Sequence, residues 1–131
     1  MFTYGYDKEL PALVGIYSGT EPMRLAWEAE GEHAERMARR AAELNRRGLY
    51  LHVIDREVPP ADALLRREIA RRAAAQVAPF DYAMVTSSAV TRGIVTVVLW
   101  FQKQDYHFTT VHADVEDALR ALERRRGTSL P

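Results

Sequence analysis

The stretch FDYAMVTSSAVTRGIVTVVLWFQKQDYHFTTVHADVEDALRALERRR, residues 80–126, decides the fold class. Residues 82–86 have the apolar pattern of a buried strand, and a pair of serines follows it. Residues 106–111 form a second strand pattern, after which Asp114 opens an amphipathic helix. Because strand and helix patterns alternate here, the sequence predicts an α/β domain with a largely parallel sheet.

Residues 89–101, between these two strands, are compatible with two structures. Their Val, Ile and Thr content favours a strand, which would form a hairpin by returning through residues 91–93. Their apolar positions, however, are three or four apart, and Ser87 or Ser88 stands where a helix cap is expected. We therefore predict a helix that turns its apolar residues inward. These residues are Val90, Ile94, Val97, Val98 and Phe101.

Toward the N-terminus, residues 2–6 and 13–18 predict two strands, and residues 7–11 between them predict the turn of an antiparallel hairpin. A helix is expected next, with Thr20 as its cap and Pro22 in its first turn. Its apolar stripe consists of Met23, Trp27, Glu30, Ala34, Met37, Ala41 and Leu44.

Glu30 interrupts that stripe beside Gly31, so we expect the middle of the helix to bend or to lie exposed. This interruption would also mark a small-ligand pocket between the helix and the sheet, if the domain binds a ligand.

Residues 49–55 are apolar on both faces, which is typical of a central parallel strand that is covered on both sides. His52 inside this strand is expected to be packed and hydrogen-bonded. A second helix is predicted over residues 61–78. The element order is β-β-α-β-α-β-α-β-α, in one domain over residues 1–126 with a tail at residues 127–131. The inward residues of the last helix are predicted to be Val115, Ala118, Leu119 and Leu122.

Composition excludes several classes of protein. The 131 residues include no cysteine, which rules out disulfides and thiolate chemistry. The formal net charge is zero, which argues against a nucleic-acid-binding protein. No apolar run reaches the roughly 18 residues of a membrane span, and no signal peptide is recognisable, so we expect a cytoplasmic protein.

Arginine supplies 16 of the 18 basic residues. Guanidinium groups suit phosphate or carboxylate recognition, but they also form ion pairs on helix surfaces, the interpretation that we favour. The pairs with the acid four residues before the arginine are Glu32–Arg36, Glu35–Arg39, Glu43–Arg47, Glu68–Arg72 and Glu116–Arg120.

Candidate catalytic groups are few. Asp55, Arg56 and Glu57 follow a predicted parallel strand, where α/β sheets place ligands, but a solvated loop with a local ion pair is the favoured interpretation. Ser87 lacks the G-x-S-x-G elbow of a nucleophile, so capping is the simpler role. The histidines lack metal-ligand spacing; His107, for example, points away from His112 across one strand. We predict no catalytic residue, metal or cofactor, and a protein that is not an enzyme.

Three segments resemble the STAS-like, or anti-sigma-factor-antagonist-like, domains of single-domain bacterial proteins. They are the strand that ends in Asp55, the run MVTSSAVTRGIVTVVLWF at residues 84–101, and the run YHFTTVHADVEDALRAL at residues 106–122. The resemblance implies a STAS-like fold and a regulatory or scaffolding role through protein–protein interaction. The sequence departs from the family at residues 55–60. Members of the family carry a phosphorylatable Ser or Thr in the turn after this strand, and these residues lack it. The switch is not transferred to Ser87 or its neighbour.

The leading hypothesis is thus a module that binds another protein or a second copy of itself, without nucleic acid or a membrane span. The alternative is a domain that binds a small apolar or anionic ligand. The Trp100–Phe101 pair before a polar turn is compatible with an exposed aromatic interface and equally with packing at the edge of the core. The predicted partner-binding residues are Asp55, Arg56, Glu57, Ser87, Ser88, Arg92, Trp100 and Phe101.

Overall fold

The structure is a computed structural model that describes residues 1–75, 79–100 and 107–126, with the backbone alone at residues 74, 94, 95, 97–100 and 107–109. The mixed α/β class with a mostly parallel sheet is confirmed, and the elements follow one another along the chain in the predicted order, while the STAS-like topology stays a prediction. The elements are β1 (Phe2–Asp7), β2 (Ala12–Tyr17), α1 (Met23–Glu43), β3 (Gly48–Ile54), α2 (Ala63–Ala75), β4 (Phe80–Thr86), α3 (Ala89–Trp100), β5 (His107–His112) and α4 (Val115–Arg126).

The five strands form one sheet in the order β1-β2-β3-β4-β5. β1 and β2 make the predicted antiparallel hairpin, and the other three pairings are parallel. The spatial order of the strands was not predicted from the sequence. Each crossover carries the chain to the next strand in the same direction, so the usual right-handed connection puts α1, α2 and α3 on one face of the sheet.

β3 is the central strand, as predicted, and its two faces contribute to different cores. On one face, Ile54 packs with Tyr17 and Met84 under α1 and α2. On the other face, Leu51 packs with Ala83 under α4. The sheet is therefore covered on both sides around β3. We call the side of the sheet where the parallel strands begin the amino edge, and the opposite side, where they end, the carboxyl edge.

Three helices begin with a side-chain cap. In each, the side-chain oxygen of the capping residue accepts a hydrogen bond from the main-chain N–H three residues later. The caps are Asp62 for α2 at 2.7 Å, Ser88 for α3 at 3.2 Å and Asp114 for α4 at 2.9 Å. Asp114 was predicted, and Ser88 is one of the two serines between which the prediction left the cap of α3 open. The expected cap Thr20 was wrong, because α1 begins after Pro22 and has no side-chain cap.

The predicted helix is confirmed over Ala89–Trp100 as α3, and the hairpin alternative is wrong. The predicted inward positions are wrong for Val90, which is 64% exposed, and for Val115, which is 40% exposed. Both lie in the first turn of their helix. The other apolar side chains of α3 named above, and Phe101, lie outside the described part.

Candidate functional site

Most of the predicted partner-binding residues lie at the carboxyl edge. β3 and β4 end side by side, since Ile54 pairs with Thr86 in the register of the sheet. The loop after β3 carries Asp55, Arg56 and Glu57, and the junction after β4 carries the serine pair and Arg92. The fold thus brings six of the eight predicted residues to two neighbouring loops.

The loop after β3 presents charge to solvent. The main-chain N–H of Asp55 donates to the carbonyl of Tyr17 at 2.9 Å, which ties the loop to β2. Arg56 and Glu57 are exposed. Within residues 1–75, 79–100 and 107–126, no ion pair joins either of them or Asp55 to another side chain, so the expected local ion pair does not form there.

The junction after β4 is braced internally. Ser88 uses its hydroxyl to cap α3, and Nη1 of Arg92 donates to the carbonyl of Thr86 at 2.7 Å. Ser87 is exposed. Of these predicted contact residues, Ser87 is therefore the one open to a partner, while Ser88 and Arg92 hold the strand and helix together. The side chain of Trp100 and the whole of Phe101 lie outside the described residues.

Exposed apolar side chains collect at the same edge. Seven large apolar residues are exposed in the described part of the chain. Five of them stand at the carboxyl edge, in the first turns of the four helices or beside the end of β2. They are Met1, Leu25, Leu64, Val90 and Val115.

Leu25 and Leu64 lie in the first turns of α1 and α2. Leu25 is 53% exposed and Leu64 is 56% exposed. Nη1 of Arg24, next to Leu25 in the first turn of α1, lies 2.5 Å from a carboxylate oxygen of Glu68 in the second turn of α2. Neither leucine was predicted as a contact residue from the sequence. The available signal was that each lies off the inward-facing apolar stripe of its helix. We call Leu25, Leu64 and Val90 the carboxyl-edge patch.

Glu30 is buried, with 5% of its surface exposed, so the expected exposure in the middle of α1 is wrong. Tyr17 and Tyr50 donate their hydroxyl protons to Glu30 Oε2, the latter at 2.7 Å. Nη2 of Arg72 donates to Oε1 at 2.5 Å. These hydrogen bonds compensate the carboxylate for the water that it loses on burial.

His52 extends this network toward β4. Its Nδ1 lies 2.5 Å from the hydroxyl of Tyr82, which confirms the predicted hydrogen-bonded role. Its Nε2 is buried 3.7 Å from Glu30 Oε2 and has no hydrogen-bond partner among the described residues. Burial lowers the pKa of His52, and Arg72 lowers it further, while Glu30 opposes the shift. The imidazole is therefore expected to be neutral near pH 7.

The tyrosines of the network are held in their neutral form. Burial, followed by the charge of Glu30, raises the pKa of Tyr17, of Tyr50 and of Tyr82 above the ordinary value. A neutral phenol is the form that donates a hydrogen bond to a carboxylate. The network therefore keeps its donors over the whole neutral range.

Gly31 makes room for an arginine. A Cβ atom at Gly31 would stand 2.9 Å from Nη1 of Arg72. The same Nη1 donates to the carbonyl of Trp27 at 3.0 Å, and the guanidinium carbon lies 4.1 Å from the centre of the Trp27 ring. The side chain of Arg72 thus lies against Gly31 and fastens α2 to α1.

A second site lies at the amino edge, where an open pocket of about 440 Å³ is lined by four arginines and one aspartate. Asp81 on β4 is buried there. Its carboxylate lies 2.9 Å from Nε of Arg47, 3.6 Å from Arg125 and 3.9 Å from Arg126. The fourth arginine is Arg46. None of these residues was predicted as a site.

Comparisons with protein-family models, curated proteins and solved structures give no match for this chain. The resemblance to STAS-like proteins therefore stays a prediction. Within the described residues, no helix has the length and apolar character to cross a membrane. In the same part of the chain, the side chains that commonly ligate metals do not gather in groups of three or more.

Proposed function

We propose that this protein is a non-enzymatic STAS-like regulatory or scaffolding module that binds another protein through the carboxyl-edge patch. The observation that carries the proposal is the clustering of exposed apolar side chains at the helix starts on this edge. Single exposed apolar residues are normal on a protein surface. Five that share one edge are a pattern typical of an interaction surface.

The charge around the patch fits this role. Arg56 and Glu57 are exposed beside it and are not engaged by other described residues. Protein interfaces commonly combine an apolar centre with a polar rim, and rim charges select the partner and its orientation. The loop after β3 would supply that rim.

The buried network supports the proposal by making the surface rigid. Glu30 links α1 to β2 and β3, and Arg72 links α2 to α1. Leu25 and Leu64 sit at the first turns of these two helices. Their relative position is therefore fixed before binding, which lowers the entropic cost of association.

The STAS-like resemblance leads to the same class of function without the phosphorylation switch. The turn after β3 has no hydroxyl side chain, and Ser88 is committed to capping α3. A partner would therefore recognise this surface constitutively. The alternative function, binding of a small anionic ligand, is supported by a different part of the molecule, the pocket at the amino edge.

The test is affinity capture from the source cells with wild-type protein, the L25D/L64D double variant and the control V14D. Val14 is an exposed apolar residue on β2, away from the carboxyl edge. A protein captured by wild type would be identified, purified and titrated against all three. We expect binding at least about tenfold weaker for L25D/L64D and unchanged for V14D, a difference of about 1.4 kcal/mol or more.

Equal affinity of the three proteins would contradict the proposal. A second copy of the chain as the partner is distinguished by light scattering of the pure protein. In that case wild type and V14D would be dimers, while L25D/L64D would be a monomer.

A further inference from the structure

The pocket at the amino edge holds more positive charge than its structural role requires. It is formed where α1 ends, where β4 begins and where α4 ends, and Arg46, Arg47, Asp81, Arg125 and Arg126 line it. A buried carboxylate must be paired, and Arg47 meets that need with an Nε to Oδ1 distance of 2.9 Å. Arg125 and Arg126 add two more charges within 4 Å of the same group.

Pairing with Asp81 does not account for the presence of Arg46 in the pocket. Its Nη1 donates to the main-chain carbonyl of Glu9 at 3.0 Å, in the turn between β1 and β2. Glu43, the nearest acid before it in the sequence, pairs instead with Arg40. Arg46 is thus held at the wall of the pocket by a neutral acceptor and keeps its full charge.

The helix ends do not balance the arginines either. The C-termini of α1 and α4 each carry a partial charge of about −0.5. With Asp81, these compensate about two of the four guanidinium charges. Glu123, three residues before Arg126 on α4, takes part in a further contact of its own. Arg47 and Arg125 likewise take part in further contacts, so the charge available to an anion is carried most clearly by Arg46, which is held by a neutral acceptor.

We propose that this pocket binds a small molecule that bears a phosphate group. Guanidinium groups match the geometry of phosphate oxygens and bind them in pairs. The volume of about 440 Å³ lies in the range of small-molecule sites. The side chains of Arg47 and Arg125 remain 33% and 43% exposed, so an anion can reach them. Asp81 beneath them holds the cluster in place while leaving the net charge positive.

This site is independent of the carboxyl-edge patch, because it lies at the opposite edge of the sheet. Failure of either proposal leaves the other intact.

The experiment is calorimetric titration of the full chain with inorganic pyrophosphate, in phosphate-free buffer at 50 mM and 300 mM NaCl. The variants are R46Q, R126Q and the control R71Q, whose arginine is exposed on α2 outside the pocket. Circular dichroism melting checks that each variant folds, and R126Q provides the same test if R46Q does not fold. Inorganic phosphate in a parallel titration distinguishes a site for one phosphate group from a site that needs two.

We expect saturable binding to wild type and to R71Q, and at least about tenfold weaker binding to R46Q and to R126Q. The affinity should fall between the two salt concentrations, because screening weakens the attraction. Absence of binding to wild type at millimolar ligand would overturn the proposal. Equal affinity of wild type and the pocket variants would also overturn it, and so would a loss of affinity in R71Q as large as that in the pocket variants. Either result would indicate diffuse attraction to surface arginines instead of a site.

Discussion

Glu30 accepts hydrogen bonds from donors on three different elements: Tyr17 on β2, Tyr50 on β3 and Arg72 on α2. Replacement by leucine would leave these donors buried without an acceptor. We expect E30L to lower the free energy of unfolding by about 3 to 5 kcal/mol in urea denaturation. The matched control is E28L on the exposed side of the same helix, which should change it by no more than about 0.5 kcal/mol. Similar values for the two variants would show that the network does not stabilise the fold.

Stability should decline on both sides of neutrality. Between the lowered pKa of His52 and the ordinary value of 6.5, the unfolded chain binds protons that the folded chain does not. The free energy of unfolding therefore falls as pH drops below about 6.5. Above pH 10, the unfolded chain loses phenolic protons that Tyr17 and Tyr82 retain when folded. The free energy of unfolding therefore also falls as pH rises beyond about 10.

Urea denaturation of wild type and H52Q from pH 5 to pH 8 checks the acidic side. The groups around the imidazole are Glu30, Arg72 and Tyr82. We expect a shallower decline between pH 6.5 and pH 5 in H52Q, while H112Q, which removes a less buried histidine whose pKa is also lowered, should resemble wild type more closely. Parallel profiles for wild type and H52Q would contradict the assignment of a buried, neutral His52.

Two glycines of the hairpin form a matched pair. A Cβ atom at Gly15 would stand 2.7 Å from the hydroxyl oxygen of Tyr50, which is hydrogen-bonded to Glu30 and cannot retreat freely. A Cβ atom at Gly5 would have no neighbour within 4 Å. We expect G15A to lower the free energy of unfolding by about 1 to 3 kcal/mol. G5A should be neutral or slightly stabilising. A larger loss of stability in G5A than in G15A, measured by thermal melting, would refute the crowded geometry around Tyr50.

At the scale of the elements, the junction between β4 and α3 allows a direct test of a predicted cap. Ser88 accepts the N–H of Thr91, whereas the neighbouring Ser87 is exposed. We expect S88A to lower the free energy of unfolding by about 1 kcal/mol and S87A to leave it nearly unchanged. Chemical denaturation of the two variants side by side makes this comparison. A larger loss in S87A would mean that the helix begins elsewhere.

Local chemistry explains which elements the sequence predicts well. Helix α3, the hairpin, the cap Asp114 and a cap of α3 at Ser87 or Ser88 depend on residues within a few positions of one another, and all were predicted. Of the five predicted helix-surface ion pairs, Glu116–Arg120 has its charged atoms within 4.0 Å. Arg47 and Arg72 instead join buried acids from other elements, because those contacts are shielded from water and the local pairs are not.

At the scale of the whole molecule, both candidate sites arise from the parallel sheet. The carboxyl edge aligns the first turns of helices that are far apart in sequence, and the amino edge gathers arginines from the ends of α1 and α4. The sequence predicts the loops after β3 and β4 as binding regions because each follows its own strand. It does not predict the patch or the arginine pocket, because these depend on strand order and helix placement.

The central claim, that the carboxyl-edge patch binds another protein, is tested most directly by photo-crosslinking in the source cells. A photoreactive phenylalanine derivative replaces Leu64 in one variant and Val14 in the other, both exposed apolar positions. The account predicts a discrete crosslinked product of higher mass from position 64, containing one partner protein, and none from position 14. The same product from both positions, or a product from position 14 alone, would contradict it.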